Sequence, residues 1–189
     1  MKPFVFTPSL KTSSILLAVS VLSGCAMLSN DGGLSEVSKL TKERTGFSVA
    51  GERSERDAQS NSAEVNTLLS SPLTPDTAVQ IAFLNNRGLR ASLAELGVSE
   101  ADFVQAGRLR NPGFSFSRMR GGDDVEIERS VMFDLIGLLT IPIRSNIGRG
   151  RFEQAKLTAA SEAVRLASET RSAYFSAVAA AQTAKFMSQ

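Results

Sequence analysis

Few side chains of this sequence have the types and spacing that catalysis or metal binding requires. Its 189 residues contain one Cys and no His, which excludes an internal disulfide, the usual zinc sites and every His-based catalytic triad. Glu126 with Glu128, and Asp123 with Asp124, fit a solvated strand face and a loop tip better than a carboxylate pair or a calcium turn. Residues 148–151 (GRGR) lack the Gly-Lys-Ser/Thr of a phosphate loop. We therefore predict no enzyme activity, cofactor or metal, and no catalytic, cofactor-binding or metal-binding residue.

The first 24 residues have the features of an export signal. Lys2 and Lys11 supply positive charge, and residues 13–22 (SSILLAVSVL) form an apolar run. The run is too short for a transmembrane helix, which needs about 20 residues. It ends in a small-residue segment followed by the only cysteine, in the order Leu22, Ser23, Gly24 and Cys25.

This segment resembles the bacterial lipobox, in which cleavage leaves the cysteine as a diacylated N-terminus. The resemblance implies that residues 1–24 are a lipoprotein signal peptide and that Cys25 is lipidated. Ala26, rather than Asp, follows the cysteine, which in the lipoprotein sorting pattern allows passage to the outer membrane. The alternatives are an ordinary cleaved signal and a buried free cysteine.

The charge balance changes once the signal peptide is removed. The full chain carries a net charge of +2, and Lys2 and Lys11 account for that excess because residues 1–24 contain no acid. A mature chain without net positive charge gives little support to nucleic-acid binding.

Residues 25–72 form a polar N-terminal linker without a sustained period. Two short helices are predicted within it, one over 34–44 closed by Thr45-Gly46 and one over 63–70 after a Ser62 cap. The linker either lies along the outside of the body or is a disordered tether.

The main region, residues 73–189, begins with a helix predicted over 75–110. Thr74 is a suitable N-cap, Pro75 suits the first helical position, and Asp76 favours the positive end of the helix dipole. The apolar pattern weakens around Gly88, where we expect a break or kink. Residues 111–113 (NPG) predict the stop, because proline disfavours helix in the residue before it.

After this stop, apolar residues recur at every second position, which predicts a β-hairpin over 113–141. Residues 114–117 and 125–135 alternate around a turn at 121–124 (GGDD). The second strand has about the length of a transmembrane strand, roughly 9 to 11 residues. The alternative is a hairpin on a soluble sheet, and Arg118 and Arg129 on the apolar face count against lipid there. The predicted membrane-facing residues are Phe114, Phe116, Val125, Ile127, Val131, Phe133 and Leu135.

A second long helix is predicted over 147–189, after an apolar run at 135–142 that ends at Pro142. It is rich in alanine, and small residues every four or seven positions allow close helix packing of the coiled-coil type. The sequence thus predicts an α+β fold, mainly α, with two long coiled-coil-type helices flanking a transmembrane β-hairpin.

Four segments in this order carry a family resemblance: 72–82 (PLTPDTAVQIA), 96–102 (LGVSEAD), 105–112 (QAGRLRNP) and 151–156 (RFEQAK). Together with the lipobox and the hairpin, they resemble the N-terminal part of the TolC-like outer-membrane efflux channel family. The resemblance covers roughly residues 36–189 and is strongest from residue 72.

The resemblance implies an outer-membrane component of a tripartite efflux or type I export system. Members trimerise, share one β-barrel and one tunnel of long periplasmic helices, and dock onto an adaptor protein and an inner-membrane pump. They release drugs, metals or polypeptides from the cell. The implied location is the outer membrane, with a lipid anchor and periplasmic helices.

The sequence departs from the family because members contain two helix–hairpin–helix units and this chain contains one. We therefore expect a fragment, incomplete at its C-terminus, that does not form a pore alone. The alternative function is that of a periplasmic, lipid-anchored coiled-coil interaction protein without a pore.

Five arginines border the predicted hairpin. If the two long helices are antiparallel, the arginines at the end of the first helix lie at the same height as those at the start of the second. Long basic side chains at that height can contact phospholipid headgroups. The alternative is solvated charge near helix ends. The predicted membrane-rim residues are Arg108, Arg110, Arg144, Arg149 and Arg151.

Overall fold

The computed structural model describes residues 28–52, 54–122 and 124–189. Within these ranges the chain forms five helices and one antiparallel strand pair, so the mainly helical α+β class is confirmed at this level. In chain order the elements are α1 (Leu34–Thr45), α2 (Glu55–Leu69), α3 (Pro75–Asn85), α4 (Arg87–Ala106), β1 (Gly113–Gly121), β2 (Asp124–Met132) and α5 (Leu135–Met187).

The helix predicted over 75–110 is two helices, α3 and α4, separated at Asn86. The Asn86 backbone is extended, with φ −75° and ψ 118°, and its Oδ1 accepts a hydrogen bond from the Leu89 N–H at 2.9 Å. The predicted break therefore lies at Asn86, because this side chain caps the second helix. The helix also ends earlier than residue 110, at Ala106, and Gly107 is the C-cap.

The two strands form an antiparallel hairpin. Gly121 pairs with Asp124, and Gly122 has φ 65°, a left-handed conformation that glycine adopts without strain. The pairing of Phe114 with Val131 places both on one face of the hairpin. By the same register, the other residues on this face are Phe116, Arg118, Arg120, Val125, Ile127 and Arg129.

The hairpin is shorter than predicted, and α5 begins earlier. Strand β2 ends at Met132, so Phe133 and Leu135 are not strand residues, and 135–141 belongs to a helix. The Asp134 carboxylate caps α5 by accepting the Gly137 N–H at 2.7 Å. Pro142 lies inside α5 rather than ending it, so the predicted start at 147 was wrong.

The linker contains more helix than predicted. Helix α1 closely matches the helix predicted over 34–44, and Gly46 closes it with φ 85°. The second helix was predicted over 63–70, but α2 begins at Glu55. Ser54 caps it, because Asp57 N–H donates to Ser54 Oγ at 3.2 Å while Ser54 N–H donates to the Asp57 carboxylate at 2.9 Å.

The core lies where α1, α3 and α4 pack on the middle of α5. Alanines of α5 leave room for larger side chains of the other helices, as ridge-and-groove packing requires. Val37 of α1 is fully buried, so this part of the linker is integral to the body. The buried cluster comprises Val37, Val49, Val79, Phe83, Leu89, Leu96, Ala159, Ala160, Ala163 and Ala167.

Candidate functional site

A large apolar surface is exposed on the hairpin and the first turns of α5. Phe114 is 71% exposed and Val131 56%, although side chains of this size are mostly buried in soluble domains. Exposed apolar surfaces of this extent mark sites of interaction with a protein or a membrane. The surface continues along the chain through Phe133, Leu135, Ile136, Leu138, Leu139, Ile143 and Ile147.

The opposite face of the hairpin is polar. Ser115 pairs with Ser130, and their hydroxyl oxygens are hydrogen bonded at 2.6 Å. Ser117 pairs with Glu128, and Glu126 lies on the same face. One face of the hairpin therefore carries its Phe, Val and Ile side chains together with three arginines, and the other carries its Ser and Glu side chains together with Met119 and Met132.

Three of the five rim arginines share one open cleft. Arg108 and Arg110 follow the end of α4, and Arg144 reaches the same space from α5. The cleft has a volume of about 560 Å³, and its described lining contains no Asp or Glu. Leu28, the first described residue, also lines it.

Arg144 is held in place from one side. Its Nη2 donates to the Gly137 carbonyl at 3.0 Å, within the turns of α5 that precede and include Pro142. Its Nε is buried and has no hydrogen-bond partner in the described part of the chain. An unsatisfied buried donor is unfavourable.

The other two rim arginines lie in different surroundings. The Arg149 guanidinium lies 5.8 Å from the centre of the Phe103 ring, a distance compatible with a cation–π interaction. Arg151 lines a second cleft together with Arg144, and this cleft includes Glu95 and Asp102. The structure thus groups Arg108, Arg110 and Arg144 in one cleft, places Arg151 with Arg144 in the second, and holds Arg149 against Phe103.

A line of stacked side chains connects α4, α5 and α1. The rings of Phe103 and Phe152 are stacked 6.4 Å apart, and Lys156 Nζ lies 5.0 Å from the Phe152 ring centre. Lys156 also forms salt bridges with Glu36 of α1 and, at 2.7 Å, with Glu153. Burial lowers the pKa of Lys156, but its hydrogen bonds to Glu153 and Glu36 and their charges outweigh this and raise it.

Hydrogen bonds also tie the N-terminal residues to the body. Ser29 N–H donates to a Glu100 carboxylate oxygen at 2.6 Å, and Arg90 forms a 3.0 Å salt bridge with Glu52. At the C-terminal end of α1, the Thr45 carbonyl accepts a hydrogen bond from the Arg171 side chain of α5 at 3.1 Å. These bonds hold the N-terminal residues from Ser29 to Glu52 along α4 and α5.

The predicted lipidation site and the weaker candidate motifs have different outcomes. Cys25 and the lipobox residues Leu22, Ser23 and Gly24 lie outside the described residues, as does Asp123. Residues 148–151 lie inside α5 and therefore do not form a loop. Within the described ranges, no group of three or more potential metal ligands occurs, and none of the helices is long and apolar enough to span a bilayer.

Sequence reasoning missed two residues of this region, Leu28 and Lys156. The contact of Leu28 with the arginine cleft is long-range and leaves no local signal. Lys156 follows Phe152 by one helical turn, a spacing that puts both on one helix face, and this spacing could have indicated its position.

Comparison of the chain with protein-family models, curated proteins and solved structures finds no match.

Proposed function

We propose that the chain is a lipid-anchored subunit of an outer-membrane export channel, with its hairpin in the membrane and its helices in the periplasm. The observation that carries this proposal is the exposed apolar face of the hairpin, which includes Phe114 and Val131. Transfer of such a face from water to lipid is favourable by about 25 cal/mol per Å² of apolar area. The resemblance to TolC-like channels supports the further proposal of a homotrimer that docks onto an adaptor protein and an inner-membrane pump.

The positions of the charged side chains support an orientation in which one face of the hairpin contacts lipid and the other contacts water. Glu126, Glu128 and the serine pair lie on the polar face, which would contact water. Arg118 and Arg120 lie near the turn, where they would reach headgroups at one side of the membrane. Arg129 is paired with Phe116, so its long side chain must extend along the strand to reach a polar surface.

The test introduces a glutamate on either face of the same strand in a Cys25→Ala background, so that the acyl anchor does not mask the hairpin. Val131→Glu places a charge on the apolar face, and Ser130→Glu, its matched control, places one on the polar face. A charge facing lipid near the bilayer centre is destabilising, by about 2–4 kcal/mol for Arg or Lys and by less for Glu. We expect Val131→Glu to lower the fraction of protein that resists carbonate extraction from membranes, and Ser130→Glu to leave it unchanged.

Equal extraction of both variants and the parent would contradict a membrane location of the hairpin. It would favour the second candidate, a periplasmic lipid-anchored coiled-coil protein that binds a partner without forming a pore. The observation in favour of that candidate is the apolar surface at the distal end of α5, where Phe175 is 60% and Phe186 78% exposed. For it, Phe175→Ser and Phe186→Ser would abolish partner binding while the hairpin variants bind normally.

A further inference from the structure

Three arginines of the hairpin lie close together on one face. The pairings of Arg118 with Ile127 and of Phe116 with Arg129 are successive pairs on that face. Arg118 and Arg129 are therefore diagonal neighbours, a relationship in which residues lie about 7–8 Å apart. Arg120 follows Arg118 by two positions on the same strand, about 7 Å nearer the turn. Because arginine side chains are long, their guanidinium groups can reach one ligand from these positions.

The charges of these arginines are not compensated within residues 113–122 and 125–132. All three side chains are exposed, and none forms an ion pair or a side-chain hydrogen bond with a described residue. The acidic residues of these two ranges are Glu126 and Glu128, which lie on the opposite face. Like charges this close repel one another, and an anion bound between them removes the repulsion.

Apolar side chains lie between the arginines and are exposed as well. Phe116 is 57% and Ile127 50% exposed, and each is paired directly with an arginine. Phosphates and acyl chains meet at one level of a bilayer, so a surface that alternates arginine with apolar side chains fits that level. A soluble polyanion supplies charge but no apolar layer. The composition of this face therefore favours a lipid surface.

The arginines occupy the half of the face that is nearer the turn. In the other half, Phe114 pairs with Val131, and the apolar surface continues through Phe133 into the first turns of α5. Arg129 lies three residues before the end of β2 at Met132, a distance of about 10 Å along the strand. Because a charged side chain at the bilayer centre is unfavourable, the two halves require different depths.

We propose that the arginine half of this face binds the phosphate groups of anionic lipid headgroups, while the half with Phe114 and Val131 lies in the hydrocarbon layer. The proposal rests on the proposed membrane location of the hairpin and adds the lipid class and the depth. Arg118 and Arg129 are the phosphate-binding pair, because guanidinium groups bind phosphate through two parallel hydrogen bonds. Arg120 adds charge beside them.

The first test measures how the detergent-purified full chain with Cys25→Ala binds two kinds of vesicle in a flotation assay. One kind contains phosphatidylcholine alone, and the other equal parts of phosphatidylcholine and phosphatidylglycerol. Near an anionic surface each arginine contributes roughly fivefold in affinity, so we expect Arg118→Gln with Arg129→Gln to reduce the preference for phosphatidylglycerol by about 30-fold. Arg56→Gln with Arg87→Gln removes the same charge from exposed positions of α2 and α4 and should retain the preference.

The outcome of this comparison decides whether the hairpin arginines are the headgroup site. An unchanged preference in the Arg118/Arg129 variant, or an equal loss in the Arg56/Arg87 control, would overturn it. Circular dichroism of each variant checks that the helices are intact.

The second test measures depth with one fluorescent label on each half of the face. Cys25→Ala removes the only cysteine, so Val131→Cys and Ile127→Cys each provide a single labelling position. In vesicles with phosphatidylglycerol, a quencher at the bilayer centre should act more strongly on the label at 131. A quencher on the headgroup should act more strongly on the label at 127. Equal depth of the two labels, or the reverse order, would overturn the proposed division of the face.

Two further outcomes separate this proposal from its premise and from a soluble ligand. Failure of the Cys25→Ala chain to bind either vesicle contradicts the proposed function, whereas equal binding to both vesicles contradicts only the headgroup site. Binding of soluble polyphosphate is measured by calorimetry in detergent without lipid. Polyphosphate binding that Arg118→Gln with Arg129→Gln removes, with vesicle preference unchanged, would assign the arginines to a soluble polyanion and overturn the lipid assignment.

Discussion

Gly148 of α5 lies so close to Phe103 of α4 that a Cβ at Gly148 would be 3.1 Å from the Phe103 Cα. The same Cβ would be 3.3 Å from the Cβ of Ala106. The two helices therefore approach backbone to backbone near the end of α4, immediately before the arginine cleft. A Cβ at Gly148 would require α4 to give way by a few tenths of an ångström, so the small size of glycine favours this approach.

Replacement of Gly148 by leucine should force α4 and α5 apart. We expect a loss of about 1–3 kcal/mol in the free energy of unfolding, as for other overpacked sites, measured by urea denaturation. Gly150 is the matched control because a Cβ there would contact nothing within 4 Å. Gly150→Leu should be neutral or stabilising, since leucine favours helix over glycine. Equal effects of the two substitutions would contradict the close helix contact.

The salt bridges of Lys156 should respond asymmetrically to substitution. The Lys156 side chain is 8% exposed, whereas Glu36 and Glu153 are 53% and 52% exposed. Glu36→Ala with Glu153→Ala leaves the Lys156 charge without its carboxylate partners, but because those carboxylates are half exposed it should cost less than the roughly 3–5 kcal/mol of a fully buried pair. Lys156→Met leaves only exposed carboxylates and should cost less. Urea denaturation of both variants tests this order, and a greater loss in Lys156→Met would contradict it.

The same ion pairs predict a loss of stability in alkali. The pKa of Lys156 is raised above its ordinary value of 10.5. A group whose pKa is higher in the folded chain stabilises fully below the unfolded value and loses this contribution as the pH rises through the folded value. We expect the difference in unfolding free energy between the parent and Lys156→Met to change above pH 10.5 and to be constant from neutral pH to about pH 9.

We expect the carboxylate of Asp31 to make the free energy of unfolding depend on pH in acid. Ser35 N–H donates to its carboxylate at 2.9 Å, and hydrogen bonds from Ser35 lower the pKa of Asp31 from 3.8 to about 2. A lowered pKa stabilises the fold above the unfolded value, and the contribution is lost as the pH falls from 3.8 to about 2. Asp31→Asn should remove this step from the pH dependence of unfolding. Glu64→Gln, at an exposed position of α2, is the control and should retain it.

Asn86 should be required for the start of α4. Asn86→Ala removes the cap that Leu89 N–H uses, and loss of such a cap costs about 1 kcal/mol. Asn85→Ala is the control, because Asn85 is an exposed helical residue without a capping role. Unfolding by urea should distinguish the two variants. Equal stability would mean that the α3–α4 break does not depend on the Asn86 side chain.

Local signals in the sequence predicted several elements well. Thr74 and Pro75 predicted the start of α3, because capping depends on residues within one turn. The alternation around Gly121 and Gly122 predicted the hairpin and which residues share its faces. The start of α5 was missed because residues 135–142 are almost entirely apolar and therefore show neither helical nor strand periodicity. Pro142 was interpreted as a stop, although Asp134 caps the helix before it.

The candidate site was predictable only in part. The arginines were identified from their positions before and after the hairpin, and the structure brings Arg108, Arg110 and Arg144 together. The separation of Arg149 from this group depends on its contact with Phe103, which the spacing of arginines does not reveal. The packing of Val37 on α5 is equally long-range, so the sequence left the linker's position open. Lipidation at Cys25 and the membrane location of the hairpin stay predictions.

The unequal support along α5 determines how the helix responds to a lateral force. Within the described residues, its last side-chain bonds to the rest of the chain are those of Arg171 with Asp76, at 3.2 Å, and with the Thr45 carbonyl, at 3.1 Å, and that of Tyr174 with the Leu73 carbonyl, at 2.9 Å. From Tyr174 to Met187 the helix extends about 20 Å further, so a force at that end acts through a long lever arm. The torque loads these three bonds first and the alanine-lined core last. The distal part of α5 can therefore move by breaking polar bonds while its middle stays packed in the core.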